Sequence, residues 1–345
     1  MRHVDLRSDT VTQPTPAMRE AMYRAEIGDD GYGEDPTVNR LEELAAERMG
    51  KAAAVFVSSG TMGNLVAILT HCGRGDEVVM GDESHIFWYE NGGPSTLGGI
   101  HVRTVANAPD GTLPLDKLAA AFRPDNNKFP RTKLICLENT HNRCSGKVLS
   151  RDYSAEVHAL GREHGVPVHL DGARVFNAAV FLGIDPSALA REAESVQFCF
   201  SKGLSAPVGS ALCGSRAFIQ EARRWRQAVG GGMRQAGVIA AAAIVGLETM
   251  VDRLAEDHEN ARILAEGLAG IPGLDLRPEE IQTNIVICRP LAMPSDLFLK
   301  RLAEHGVKAA NYWGGLVRFV THYGIERSDV AYALKAVRAV MRGPE

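Results

Sequence analysis

The chain has 345 residues, 45% of them hydrophobic and 23% charged, with 38 Lys and Arg against 42 Asp and Glu for a formal net charge of −4. That length suits one large domain carrying a smaller one, and the composition excludes extensive disorder. The slight negative charge argues against a general nucleic-acid binder, which needs a concentrated basic surface.

The opening Met1-Arg2-His3-Val4-Asp5 has no apolar signal core, and the apolar stretch 238–245 is far shorter than the ~20 residues that span a bilayer, so a cytoplasmic location is expected. Strand-like runs at 53–57, 77–80, 100–105, 133–138, 166–170, 196–200 and 210–213 alternate with helical patterns. This is the signature of an α/β domain with a mostly parallel central sheet. Several runs are almost wholly apolar, as strands are when helices cover both faces of their sheet. The expected division is an N-terminal arm at 1–14, a large domain at 15–245 and a small α+β domain at 246–345. A single long helix is expected over 235–268, linking the domains and ended by Gly270-Ile271-Pro272-Gly273. Beyond it, strands are expected at 284–288 and 317–321, and helices at 295–305 and 328–341.

Three sites stand out in chain order. Ser58-Ser59-Gly60-Thr61-Met62-Gly63-Asn64 follows the first strand and opens a helix, so its free N–H groups and dipole suit a phosphate. An ordinary helix cap explains it equally well. In His169-Leu170-Asp171-Gly172-Ala173-Arg174 an acid emerges at a strand end, where open α/β sheets bind ligands. Taken alone, Asp171 reads first as a helix cap. In Ser201-Lys202-Gly203-Leu204 a lysine follows the next strand, flanked by small residues that let a planar ring approach. Its amine is suited to condense with an aldehyde. The order of phosphate turn, acid and lysine carries more weight than any one of them. Six cysteines, Cys72, Cys136, Cys144, Cys199, Cys213 and Cys288, form no CxxC pair and read as buried thiols. Arg223, Arg224 and Arg226 form a short basic cluster expected to be solvated or at an interface. No His or Cys cluster has metal-ligand spacing, and no metal is expected.

These segments resemble the low-specificity L-threonine aldolases, and the similarity covers nearly the whole chain. It extends through Asp5-Leu6-Arg7-Ser8-Asp9-Thr10-Val11-Thr12, Tyr32-Gly33-Glu34-Asp35-Pro36, Leu137-Glu138-Asn139-Thr140-His141-Asn142, Gly230-Gly231-Gly232-Met233-Arg234-Gln235 and Arg318-Phe319-Val320-Thr321-His322. The resemblance implies the fold type I architecture of pyridoxal-phosphate (PLP) enzymes. It implies Lys202 as the Schiff-base lysine, Asp171 as partner of the pyridinium nitrogen, and Gly60 and Thr61 as phosphate contacts. His85 is implied as the imidazole stacked on the cofactor and as the catalytic base. Ser8, Arg174 and Arg318 are implied as carboxylate binders, Arg174 also facing the cofactor. Arg234 is implied as a phosphate contact reaching a neighbouring subunit, and Tyr32 and Glu90 as loop residues lining the site, Tyr32 toward the substrate. A homotetramer with shared active sites follows from the same resemblance. Two positions depart from the pattern: Lys128 stands where many relatives have histidine, and Gln227 where many have lysine. The implied reaction is cleavage of L-threonine, L-allo-threonine and related β-hydroxy-α-amino acids to glycine and an aldehyde. The alternatives are another PLP-dependent lyase or aminotransferase, separable by product, and a non-catalytic PLP-binding protein.

Overall fold

The computed structural model describes residues 2–342; Met1 and residues 343–345, the outer ends of the expected arm and small domain, lie outside the described residues. Seven strands form the central sheet: β1 (Ala53–Val57), β2 (Glu77–Gly81), β3 (His101–Val105), β4 (Thr132–Glu138), β5 (Val168–Asp171), β6 (Ser195–Cys199) and β7 (Ser210–Gly214). Their spatial order is β1-β7-β6-β5-β4-β2-β3. All run parallel except β7, which is antiparallel to both β1 and β6. Strands β2, β5, β6 and β7 are buried at every residue. Helices on both faces explain why their sequences lack polar alternation. Edge strand β3 is the contrast, exposed at His101 and Thr104.

One consequence fixes the site. Gly60, His85, Asn142, Asp171 and Lys202 each end or follow a parallel strand, namely β1, β2, β4, β5 and β6 in turn. The carboxyl ends of parallel strands are where an open α/β sheet holds its ligand.

A second, antiparallel sheet is built from β8 (Leu274–Asp275), β9 (Ile285–Pro290), β10 (Ala310–Tyr312) and β11 (Leu316–Val320), in the order β10-β11-β9-β8. Helices Leu254–Ala269, Ser295–Glu304 and Arg327–Arg342 share its core. Val4 and Leu6 are buried in that same core. The short strand Val4–Asp5 pairs in parallel with Val307–Lys308, and Leu6 hydrogen-bonds both Lys308 and Val320.

Two sequence expectations change. The long helix is two, Gly237–Thr249 and Leu254–Ala269, divided by a turn at 250–253. The first is rich in small apolar residues and packs on helices Pro16–Arg24 and Pro36–Arg48, whereas the second serves the C-terminal core. A bend that lacks Gly and Pro leaves the helical period unbroken in the sequence, so it escapes a periodicity reading. The basic cluster also divides: Arg226 is buried against Asp30 at 2.8 Å and the Phe56 carbonyl at 2.9 Å, Arg223 pairs with Glu42, and Arg224 alone is solvated. Burial of Arg226 is tolerated because its charge is paired and both terminal nitrogens find acceptors, although its buried Nε has no partner among the described residues. All six cysteines are free, with Cys144 half-buried and the other five buried.

Candidate active site

Lys202, His85, Arg174, Arg318 and Ser8 line one cavity of about 350 Å³, together with Asn142 and Tyr312. Asp171 lies behind it, 2% exposed. Its carboxylate accepts hydrogen bonds from Asn64 Nδ2 at 2.9 Å, Gln197 Nε2 at 2.6 Å and the Ala173 amide at 3.0 Å. Burial alone would raise the Asp171 pKa. The charges of His85 and Lys202 and the hydrogen bonds from Asn64 and Ala173 outweigh burial and hold it below the ordinary carboxylate value. The capping explanation therefore accounts for one of three bonds only.

His85 begins the short helix His85–Tyr89, its amide held by Glu138 at 2.6 Å and its Nδ1 by Glu90 at 2.8 Å. Burial disfavours the imidazolium, but the Glu90 hydrogen bond and the charges of Asp171, Glu90 and Glu138 raise the His85 pKa above its usual value. Glu90 shifts upward as well, chiefly from burial, with the Asp171 charge adding to it. Ligand atoms of His85, Glu90 and Asp171 lie within 4.8 Å of one another. The N–H donors of Asn64, Gln197 and Ala173 already crowd these carboxylates, an environment suited to a hydrogen-bonded acid rather than to a cation.

The two guanidiniums are held differently. Arg174 forks onto Asp9 at 2.7 Å through both Nε and Nη2, and both side chains are buried. Despite its burial, the Asp9 carboxyl is driven well below its usual range by the Arg174 charge and hydrogen bonds, with Lys202 and Asn284 adding to them. Arg318 makes no ion pair with an acid among the described residues: Nη1 reaches Asn142 Oδ1 at 3.0 Å, Nη2 reaches the Arg7 carbonyl at 3.3 Å, and its buried Nε likewise has no partner there. Asn142 Oδ1 also receives Arg174 Nη1 at 3.5 Å. Burial, then the Arg174 charge, lowers the Arg318 pKa. Two cations thus share one anion, Asp9, and the cavity keeps a positive excess suited to a carboxylate ligand.

The residues fit a PLP molecule. Gly60 opens helix Gly60–His71 at a place where a Cβ would come within 2.8 Å of Cys199 Sγ, so any larger residue there would have to displace that thiol. Ser59 caps the Met62 amide at 3.1 Å, leaving the first N–H groups, at Gly60 and Thr61, for a phosphate. Lys202 offers the amine and Asp171 the anion for the ring nitrogen.

Of the expected residues, Gly60, Thr61, Glu90 and Asp171 are not among those lining this cavity, and Arg234 and Tyr32 stand apart at the surface. Arg234 is 69% exposed at its side chain and pairs with Asp29 at 3.3 Å, and Tyr32 is 78% exposed in the turn Asp30–Tyr32. Within one chain, the structure does not bring them to Lys202. Lys128 is exposed, and Gln227 packs on Gly232. Sequence reasoning passed over Asp9, Asn64, Asn142, Gln197 and Tyr312. Asp9 and Asn142 lie inside segments noted for their resemblance, but nothing in either segment announces a partner in another part of the chain.

A family model described as β-eliminating lyase matches residues 5–290. Low-specificity L-threonine aldolase 1 of Arabidopsis thaliana is 48% identical, with 99% of this chain and 97% of that protein covered. Low specificity L-threonine aldolase of Escherichia coli K12 is 46% identical over 98% and 99% of the two chains. The solved threonine aldolase of Leishmania major superposes with a TM-score of 0.83 at 20% identity, covering 98% of this chain and 99% of that one, a likeness of fold. With a matched family model over most of its length and relatives near half-identical from end to end, the chain belongs to the β-eliminating lyase family, among the low-specificity L-threonine aldolases.

Proposed function

We infer that the protein is a PLP-dependent carbon–carbon lyase that cleaves L-threonine, L-allo-threonine and related β-hydroxy-α-amino acids to glycine and an aldehyde. The observation that carries the reading is the meeting of Lys202 with the Arg174 and Arg318 guanidiniums and His85 at one cavity, over a buried, anionic Asp171. PLP, when bound, supplies a ring that withdraws the electron pair of the broken Cα–Cβ bond. Lys202 holds the cofactor, Asp171 keeps a proton on the ring nitrogen, and Gly60 and Thr61 take the phosphate. The free donors of Arg174 and Arg318, with Ser8, grip the substrate carboxylate and thereby set which bond at Cα stands perpendicular to the ring. His85 presents Nε2, the nitrogen not bound to Glu90, to the β-hydroxyl and removes its proton.

Exposed Tyr32 and Arg234 fit a role across a subunit boundary, where they complete a neighbouring cavity in a homotetramer. No helix among the described residues is long and apolar enough to cross a membrane. A cytoplasmic location is the reading that goes with six free thiols.

Lys202→Ala tests the assignment. It should abolish both threonine cleavage and the borohydride-fixed attachment of cofactor. A retained fixed adduct would remove Lys202 from its role, and a 2-oxo acid in place of acetaldehyde and glycine from the unsubstituted enzyme would replace aldol cleavage with another lyase reaction.

A further inference from the structure

Behind Asp171 runs a row of polar side chains, buried at Asn64, His169 and Ser195 and half-buried at His71, that none of the steps above uses. Asn64 gives its one amide nitrogen to two carboxylates, Asp171 Oδ2 at 2.9 Å and Glu90 Oε1 at 2.8 Å. Its Oδ1 faces His169 Nε2 at 3.0 Å. His169 Nδ1 meets Ser195 Oγ at 2.9 Å, and Ser195 Oγ meets His71 Nε2 at 2.8 Å. Burial pulls the His169 pKa down to about 4 and that of His71 to about 3, so both rings are neutral at ordinary pH.

Donor and acceptor rules then leave a single arrangement. Carboxylates only accept, so the Asn64 nitrogen must face them and its oxygen must face His169. An amide oxygen only accepts, so His169 carries its proton on Nε2. Its bare Nδ1 accepts a hydrogen bond from the Ser195 hydroxyl, and the Ser195 oxygen accepts one from His71 Nε2–H. Every donor in the row points toward Asp171 and Glu90.

We propose that His71, Ser195, His169 and Asn64 are positioning residues for the lyase reaction, a one-directional hydrogen-bond row that fixes the Asn64 amide and so keeps Asp171 anionic toward the cofactor ring while Glu90 serves His85. Glu90 and Asp171 are like charges sharing one amide nitrogen, and the orientation of that nitrogen is what lets them coexist. A flipped amide would set its oxygen against both. The row extends from His71, at the far end of helix Gly60–His71, across β6 and β5 to the cavity. It connects elements rather than decorating one. The inference rests on the reading of Asp171 as the ring-nitrogen partner.

The experiment uses holoenzyme with ¹⁵N-labelled histidine, in which nitrogen shifts report the tautomer of each ring. His169 and His71 should both be neutral with the proton on Nε2 between about pH 6 and about pH 9. A proton on His169 Nδ1, or a charged His169 at neutral pH, overturns the proposal. Equilibrium dialysis of PLP then separates positioning from mere core packing. His169→Gln keeps a donor for Asn64 and should bind PLP nearly as the parent does, whereas His169→Leu should weaken binding by about tenfold. Equal weakening by both variants also overturns it. Asp171→Ala in the same dialysis tests the underlying reading: unchanged affinity there discards Asp171 as the ring partner whatever the tautomers show. If His169→Leu does not fold, the tautomers of the unsubstituted holoenzyme decide alone.

Discussion

Arg318 and Arg174 meet at one asparagine, yet replacing them should have opposite consequences. In Arg318→Leu the protein loses one bond to Asn142 Oδ1 and one to the Arg7 carbonyl, and Arg174 Nη1 still faces the same oxygen. The substitution also removes the Arg174 repulsion and a buried Nε without a partner. The net stability change should stay within about 1 kcal/mol. Function is another matter, since a charge-assisted contact to the substrate carboxylate is worth about 1.5–3 kcal/mol, or about 10- to about 150-fold in kcat/KM. Arg174→Leu strands the fully buried Asp9 carboxylate, and breaking such a pair costs about 3–5 kcal/mol of folding stability. Urea unfolding of both variants, with acetaldehyde release from threonine coupled to an alcohol dehydrogenase, reads both quantities. The reasoning is refuted if Arg318→Leu keeps the parental kcat/KM, or if it unfolds as readily as Arg174→Leu.

Glu90→Gln should move the acid limb of the kcat/KM profile to lower pH. A base must be neutral, and the variant loses the charge that raises the His85 pKa, so an unmoved limb would separate Glu90 from His85. Gly60→Ala should cost about 1–3 kcal/mol and weaken PLP binding through the Cys199 clash, and Cys199→Ala in the same chain should recover most of the loss. No recovery would place the strain elsewhere. Asp257, buried beside Arg253, has its carboxyl raised to about 6, burial outweighing the arginine. A folded pKa above the unfolded one means that folding takes up a proton, so stability should rise as pH falls from above about 6 toward the unfolded value. Asp257→Asn should flatten that rise, as urea midpoints at about pH 8 and about pH 5 would show.

What the sequence made legible was whatever depends on neighbours along the chain. Strand-like runs located β1 to β7 within two residues, most plainly where burial on both sheet faces leaves an unbroken apolar signature and least plainly at the exposed edge strand β3. Asp171 and Lys202 stood out as candidates through their places at strand ends, and Gly60 through its turn. What stayed hidden depends on pairing at a distance. Arg226 looked like part of a solvated basic cluster because Asp30 is nearly two hundred residues away, and Arg174 gave no sign that Asp9 would claim two of its nitrogens. Asn142 and Asn64 are uncharged, and only the groups converging on them reveal what they do. The roles proposed for Arg234 and Tyr32 depend on a neighbouring subunit, since one chain does not bring them to its own cavity.

The pairing of Val4–Asp5 with Val307–Lys308 has a consequence for how the protein is made. During synthesis Val4 and Asp5 are made about 300 residues before the strand they pair with. Until then Val4 and Leu6 have no core to enter, and Asp9 is not anchored against Arg174 from that side. Contacts of such separation close late, because the intervening loop must be ordered first. The end of the cavity lined by Tyr312 and Arg318 is therefore finished only once the C-terminal sheet has formed. On the proposed reading, a nascent chain with Lys202, His85 and Asp171 already in place would still lack the grip of Arg318 on the substrate, so cleavage would wait for the C-terminal sheet.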